Sequence, residues 1–403
     1  MSDVPESSGL PPAVPPSAAG ASRPGIPRPL RPAPPPPPRS SLLGCAFALS
    51  FALNLIGGLV ILLFCFGFFL LHKPASVPLG EKYYSGKSTA SDKVAILTLD
   101  GVLVEGLLAY PHKQIEQAAD DRHVKAIVVR INSPGGSITA SDDLYRKLIE
   151  LRDGNSKKNH APRPLIVSMG GMAASGGYYI ATPGQTIFAE RTTLTGSIGV
   201  YSSFPNVREL ANKYGVRLTT IKQGEIKDSG SPFAEMSKHE MQVWQDMVDD
   251  AYQRFVQVVE TGRPMLAGGK LLQPVNVTPI QAGPAFLREK ADKSHEPYRR
   301  YLADGGVWTA ESALKHKLVD KLGTLDDAVQ AAHDAAGLSE DYQAIKYERP
   351  STLADLMGLG VQSPASPSGS VLDPARLQAG FAPRLWYLAP GAELSGLFAA
   401  MRE

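Results

Sequence analysis

Apolar residues are spaced in three ways along these 403 residues, and each spacing predicts a different element. From Leu42 to Leu71 no charged residue occurs. At about 1.5 Å rise per residue, a helix of this length crosses a bilayer core of roughly 30 Å with some tilt. From about Lys93 onward, short β-branched runs alternate with amphipathic stretches. Val94–Leu99, Ala126–Ile131, Leu165–Met169 and Arg217–Ile221 have the length and composition of strands. Thr139–Arg152 and Ser237–Glu260 carry apolar residues at helical spacing. Thr309–Lys317 and Thr324–Ala336 read as short helices, each entered through a threonine that can cap it. Strands alternating with helices predict an α/β class with a covered sheet and a buried core. Beyond about Tyr342 the pattern fades into Pro, Ser and Gly, apart from an apolar patch at Leu385–Leu388.

Composition divides the chain along the same lines. Residues 1–41 hold 14 of the 34 prolines and few large apolar side chains, which predicts an extended, disordered tail. The apolar run is longer than the core of a cleaved signal peptide and lacks an Ala-x-Ala-like site after it, so it reads as an anchor. Leu42-Leu43-Gly44-Cys45 begins this run, whereas a lipoprotein box would end one. Arg23, Arg28, Arg31 and Arg39 before the span, against Lys73, Lys82 and Lys87 after it, favour a cytoplasmic N-terminus by a small margin. The expected organisation is a tail over 1–41, a transmembrane helix over 42–71, a linker over 72–92, a globular domain over 93–341 and a C-terminal extension over 342–403. The balance of 41 basic against 39 acidic residues argues against a dedicated nucleic-acid binder. Cys45 and Cys65 both lie in the apolar run, which excludes a disulfide framework in the rest of the chain. No Cys/His cluster has the spacing of metal ligands.

Candidate chemistry falls in three small-residue turns and one lysine. Ser175 follows a strand-like run and precedes Gly176-Gly177. A serine at such a strand-to-helix turn is exposed beside backbone N–H groups that can hold an oxyanion. Equally, it reads as a helix N-cap. In Asn132-Ser-Pro-Gly-Gly-Ser137, the pair Gly135 and Gly136 can turn N–H groups toward an anion or a substrate strand, or can simply form a turn. Ser197 lies in Thr195-Gly-Ser-Ile-Gly-Val200, another turn of small residues. Lys227 lies in Gly224-Glu-Ile-Lys-Asp-Ser-Gly-Ser-Pro-Phe233. A lysine base must be partly neutral near pH 7, which requires desolvation. A close Asp228 carboxylate would oppose that, so Asp228 is expected to point away.

In order and spacing these segments resemble bacterial signal peptide peptidases of the SppA type, Ser-Lys serine peptidases with the ClpP/crotonase fold. Val94–Gly101, Val307-Trp-Thr and Gly323–Ala328 share the resemblance, which spans about Lys93 to Gly337. It implies a repeated ββα spiral. Ser175 would be the nucleophile, Lys227 the base and Ser197 the residue that orients the lysine. The N–H of Gly176 and one from Gly135 or Gly136 would form the oxyanion hole. The resemblance further implies a single-pass protein of the bacterial inner membrane with its catalytic domain outside the cytoplasm. Such a protein cleaves remnant signal peptides and other apolar peptides, and assembles into homo-oligomeric rings in which neighbouring subunits shape each groove. Its partners are peptides, the lipid bilayer and copies of itself; no nucleic acid, metal or organic cofactor is implied. Two other readings stay open: a related Ser-Lys peptidase acting on membrane-protein segments, and a non-catalytic crotonase-like assembly protein. The proline-rich tail has no counterpart in the motif set, and residues 265–304 exceed the short link expected before Trp308.

Overall fold

The computed structural model describes residues 41–71, 78–277, 298–348 and 385–389. The expected tail, the middle of the 265–304 stretch and most of the C-terminal extension lie outside them. The chain divides into two units, Met1–Ala75 and Ser76–Glu403. The first contains helix α1 (Ser41–Leu71). Its Ala46–Phe64 window has a mean hydropathy of 2.4, and it alone among the described helices is long and apolar enough to cross a membrane. The helix is apolar on every face, as a span in lipid requires.

The second unit is a sheet covered on both sides. Its strands are β1 (Gly80–Gly86), β2 (Asp92–Asp100), β3 (Val124–Ser133), β5 (Leu165–Ala174), β6 (Thr186–Ala189), β7 (Leu194–Gly196), β10 (Val307–Thr309), β11 (Lys321–Leu322) and β12 (Tyr342–Glu348). The main order is β1-β12-β2-β3-β5-β6-β11, with β7 on β5 and β10 on β7. Only the β1–β12 and β7–β10 pairs are antiparallel. Two small pairs stand apart: β4 (Gly135–Ser137) with β13 (Trp386–Leu388), and β8 (Pro274–Val277) with β9 (Tyr298–Tyr301).

Parallel strands are buried on both faces, so their sequences read as continuous apolar runs. Along β2, Ala95, Leu97 and Leu99 enter one core, while Val94 and Ile96 enter the other. The larger core lies beneath helices α2 (Ala109–Asp120), α3 (Ile138–Asp153) and α6 (Lys238–Gly262). The smaller one is closed by Leu325–Ala335, through Ala328, Val329 and Ala332. Thr324 and Ser237 each close a capping box at a helix start, as their positions before helical runs predict.

Three expectations need correction. Arg217–Ile221 is no strand: it is irregular and exposed, with Ile221 97% accessible, because no neighbouring strand pairs with it. The 72–92 stretch is not only a linker, since Gly80–Gly86 forms β1 and Leu79 is buried. The domain does not stop at 341: β12 is inserted between β1 and β2, and Tyr387 of the extension is wholly buried.

Burial sets the expected costs of substitution. Leu144→Ala, in the centre of the larger core, should cost about 2–5 kcal/mol in urea unfolding of the detergent-solubilised chain. Ile221→Ala should stay within about 0.5 kcal/mol. Similar costs at the two sites would contradict this placement of the core.

Candidate active site

Ser175 ends β5 with its backbone at φ 54, ψ −116, a conformation that L side chains rarely adopt. Neighbours on both sides hold it there. Its N–H donates to the Gly196 carbonyl at 2.7 Å, and its own carbonyl accepts from Tyr179 N–H at 2.9 Å. Ala174 pairs with Gly196 in the β5–β7 ladder, which carries the strand geometry up to the turn. The following helix α4 (Gly176–Tyr179) is a single turn, too short for a substantial dipole, and Ser175 does not cap it. The hydroxyl is therefore not a structural cap. It is fully buried and makes no hydrogen bond. Buried hydroxyls are normally paired, so this one is held ready for another group.

Glycines let two backbone segments, the Gly135–Gly136 turn and the Gly176 turn, approach closely beside this serine. Gly135 adopts φ +102, and a Cβ there would lie 2.6 Å from the Gly176 nitrogen. A Cβ on Gly176 would lie 3.1 Å from both the Gly135 Cα and the Gly136 nitrogen. Any larger residue would push these segments apart. The two donors of the turn are not equivalent. Gly135 N–H donates to the Ser133 hydroxyl at 3.1 Å. Gly136 faces β13, where Tyr387 is its direct partner. Ala389 N–H donates to the Pro134 carbonyl and Ile138 N–H to the Leu385 carbonyl. That alternation makes Gly136–Tyr387 a pair that exchanges both backbone hydrogen bonds.

Ser197 follows β7 at φ 52 and is almost fully buried. Its hydroxyl donates to the Gly305 carbonyl at 2.9 Å and its N–H to the Gly306 carbonyl at 3.0 Å. The hydroxyl oxygen keeps lone pairs with which to accept. The turn that receives Ser197 is built by Arg300, which grips Asp304 through two hydrogen bonds of 2.7 and 2.8 Å. The guanidinium also lies 4.1 Å from the Trp308 ring centre. Burial opposes ionisation of Asp304, but Arg300 and the Gly306 N–H outweigh it and hold the carboxyl below its usual range. The end of the 265–304 stretch thus supports a candidate site residue, a link that spacing alone did not reveal.

Lys227 is not brought to Ser175 within the chain. It lies exposed in a turn, and the Ser175 hydroxyl has no partner. Asp228 turns to Lys222, which forms an ion pair with it and also donates to the Glu225 carbonyl. The hydrogen bond from Lys222 lowers the Asp228 carboxyl below its ordinary value. Trp244 Nε1 donates to the Ser229 hydroxyl at 2.9 Å and fastens this loop to α6. Among the described residues, no group of three His, Cys, Asp or Glu side chains converges as a metal site would need.

Two clefts open beside β13. One of about 540 Å3 is lined by Ser197, Val200, Tyr201, Gly305, Gly306 and Leu388. The other, of about 780 Å3, is lined by residues including Ser137, Ile138, Ala251, Arg254 and Leu385.

The sequence profile of peptidase family S49 matches residues 157–295 and 290–339. Protease 4 of Haemophilus influenzae is 30% identical over 257 residues, covering 62% of this chain and 36% of that protein. A putative protease of Synechocystis is 32% identical over 255 residues, 63% of this chain and 78% of its own. A putative signal peptide peptidase SppA of Enterococcus faecium is 30% identical over 277 residues, 66% of this chain and 70% of its own. The chain spans about a third of the length of Protease 4. With the mostly parallel α/β sheet and the serine turn at the end of β5, these matches place the chain in peptidase family S49, the SppA-type serine peptidases of ClpP/crotonase-like fold.

Proposed function

We propose that this chain is a membrane-anchored serine endopeptidase in which Ser175 attacks a peptide carbonyl and Lys227 of a neighbouring copy takes its proton. The observation that carries this reading is the buried, unpartnered Ser175 hydroxyl beside the Gly135, Gly136 and Gly176 backbones. As the Oγ–C bond forms, the proton passes to the lysine amine and the carbonyl oxygen becomes an oxyanion. The N–H group of Gly176, joined by that of Gly136 once the Tyr387 carbonyl paired with it gives way, would donate to that charge. The C–N bond then breaks as the ammonium returns its proton to the leaving amine. Water repeats the cycle on the acyl-enzyme, with the lysine again as base. A non-catalytic scaffold would leave the cost of a strained, unpaired serine without a purpose.

Assembly supplies what the single chain lacks. Lys227 is exposed, and its loop displays Leu210, Tyr214, Val216, Leu218 and Ile221 to solvent. A patch of that kind on a protein surface marks an interface. Contact with a second copy would cover it and desolvate the lysine, as a base near neutral pH requires. Ser197, with its lone pairs free to accept, would orient the incoming ammonium. Helix α1 would hold this ring at the bacterial inner membrane, with the catalytic unit outside the cytoplasm and remnant signal peptides within reach as substrates.

Complementation tests the shared site. Ser175→Ala and Lys227→Ala should each abolish peptidase activity, and Ser175→Ala should keep full stability because its hydroxyl bonds nothing. Co-expressed, the two inactive chains should recover about a quarter of wild-type turnover, the share of random interfaces that join an intact serine to an intact lysine. Absence of recovery in correctly assembled mixtures would refute a dyad shared between copies. Lys227→Arg should be inactive at every pH, since arginine stays protonated.

The support of Ser197 has its own pH signature. Because Asp304 titrates below its unfolded value, its contribution is present above about pH 4 and is lost as pH falls through the folded pKa. Asp304→Asn should lower stability by about 1–3 kcal/mol at neutral pH and flatten the acid limb of the melting-temperature profile. An unchanged acid limb would show that the Arg300–Asp304 pair does not hold the turn.

A further inference from the structure

Leu103 and Glu105 lie behind the Gly135–Ser137 strand, on the edge opposite β13. Leu103 N–H donates to the Gly135 carbonyl at 2.9 Å, and Ser137 N–H donates to the Leu103 carbonyl at 2.8 Å. Leu103 thereby bridges Gly136 in the parallel sense. Across a trans peptide, a carbonyl and the following N–H point in opposite directions. Holding the Gly135 carbonyl on Leu103 therefore aims the Gly136 N–H at the other edge. A Cβ on Gly136 would collide with the Leu103 backbone, so the two segments lie flush. One carboxylate joins them a third time. The Ser137 hydroxyl donates to Glu105 at 2.7 Å and accepts from the Ala140 N–H at 3.1 Å. Its one proton is thus given to a charged acceptor, the stronger kind of hydrogen bond. The same residue carries the restraint on to Gly176. Ser141 donates its hydroxyl to the Ser137 carbonyl at 2.8 Å, and that hydroxyl stands where a Gly176 side chain would begin.

We infer that Glu105 is a positioning residue for acyl transfer: through Ser137 it keeps Leu103 on the Gly135 carbonyl and so aims the Gly136 N–H at the developing oxyanion. The inference rests on the proposed role of Gly136 as an oxyanion donor. Glu105 itself touches no reacting atom. Its effect falls on the transition state, because an N–H aimed at the oxyanion gains most when the charge develops. Loss of the latch lets the Gly135–Gly136 peptide swing, which lowers kcat and leaves KM nearly unchanged. The Ser137 hydroxyl needs an acceptor oxygen at the reach of a glutamate, and it does not need the charge. Glutamine supplies that oxygen at the same reach. Aspartate keeps the charge but is one methylene shorter and falls short of Ser137.

Turnover of a short apolar peptide is measured on the full chain in detergent, for wild type, Glu105→Gln, Glu105→Asp and Glu105→Ala. Glu105→Gln should keep kcat within about threefold of wild type. Glu105→Asp and Glu105→Ala should each lower kcat at least about tenfold, with KM within about threefold. A peptidyl boronate supplies a second readout. Its boron forms a bond to the Ser175 oxygen, the serine proton leaves to the base, and a boronate oxygen stands in for the oxyanion. Boronate affinity should fall in step with kcat across the four proteins, while the same peptide without boron binds all four alike. A variant that only loosens the fold would weaken both ligands together. Glu105→Asp active with Glu105→Gln inactive would show that charge is what matters, and would overturn the proposal. Unchanged kcat in Glu105→Ala, or equal loss of both ligands, would overturn it too. A wild type that neither turns over peptide nor takes the boronate would remove the peptidase reading itself, and this role with it.

Discussion

The site depends on one strained residue at the end of a parallel strand. A serine at φ 54 costs on the order of 1–3 kcal/mol, and it persists only where its surroundings over-determine it. Here β5 delivers the chain, β7 takes the Ser175 N–H, and Tyr179 N–H takes the Ser175 carbonyl. The strain points the hydroxyl away from the helix it would otherwise cap. This turn and the Gly135–Gly136 turn packed against it hold glycine at three positions where a Cβ would meet neighbouring backbone. Sheet, turns and glycines thus form one mechanical unit, and the proposed oxyanion donors come with it.

Lys227, the proposed base, is placed oppositely. Ser175 is rigid and buried, whereas Lys227 is carried on an exposed loop fixed by Trp244 and by the Lys222–Asp228 pair. In the proposed shared dyad, separating the two has a physical advantage. A lysine buried in the isolated chain would have to lose its charge during folding, while one desolvated on assembly does so only where the site is completed. The Asp228 carboxylate is engaged by Lys222.

Much of this was legible in the sequence. The serine turn shows as small residues after an apolar run, and the capping threonines and Ser237 mark helix starts because their side chains replace missing backbone partners. What was not legible depends on distant partners. Tyr342–Glu348 mixes apolar and charged residues, and becomes a strand because β1 and β2 offer edges on both sides. Arg217–Ile221 has strand composition and no edge to join. Of the two turn glycines, Gly135 gives its N–H to the Ser133 hydroxyl whereas Gly136 pairs with Tyr387. Spacing puts Lys227 in a motif, and does not say that the lysine stands exposed while the Ser175 hydroxyl has no partner. The apolar patch at Leu385–Leu388 stood out by composition, but its place beside Gly135–Ser137 is a tertiary fact.

The central claim is that the buried hydroxyl of Ser175 is a nucleophile. The direct measurement is reaction of the full-length protein with a fluorophosphonate probe, followed by peptide mapping of the adduct by mass spectrometry. The account predicts a single modified residue, Ser175, with labelling abolished in Lys227→Ala. Modification of a different serine, or labelling of Ser175 that does not depend on Lys227, would contradict it.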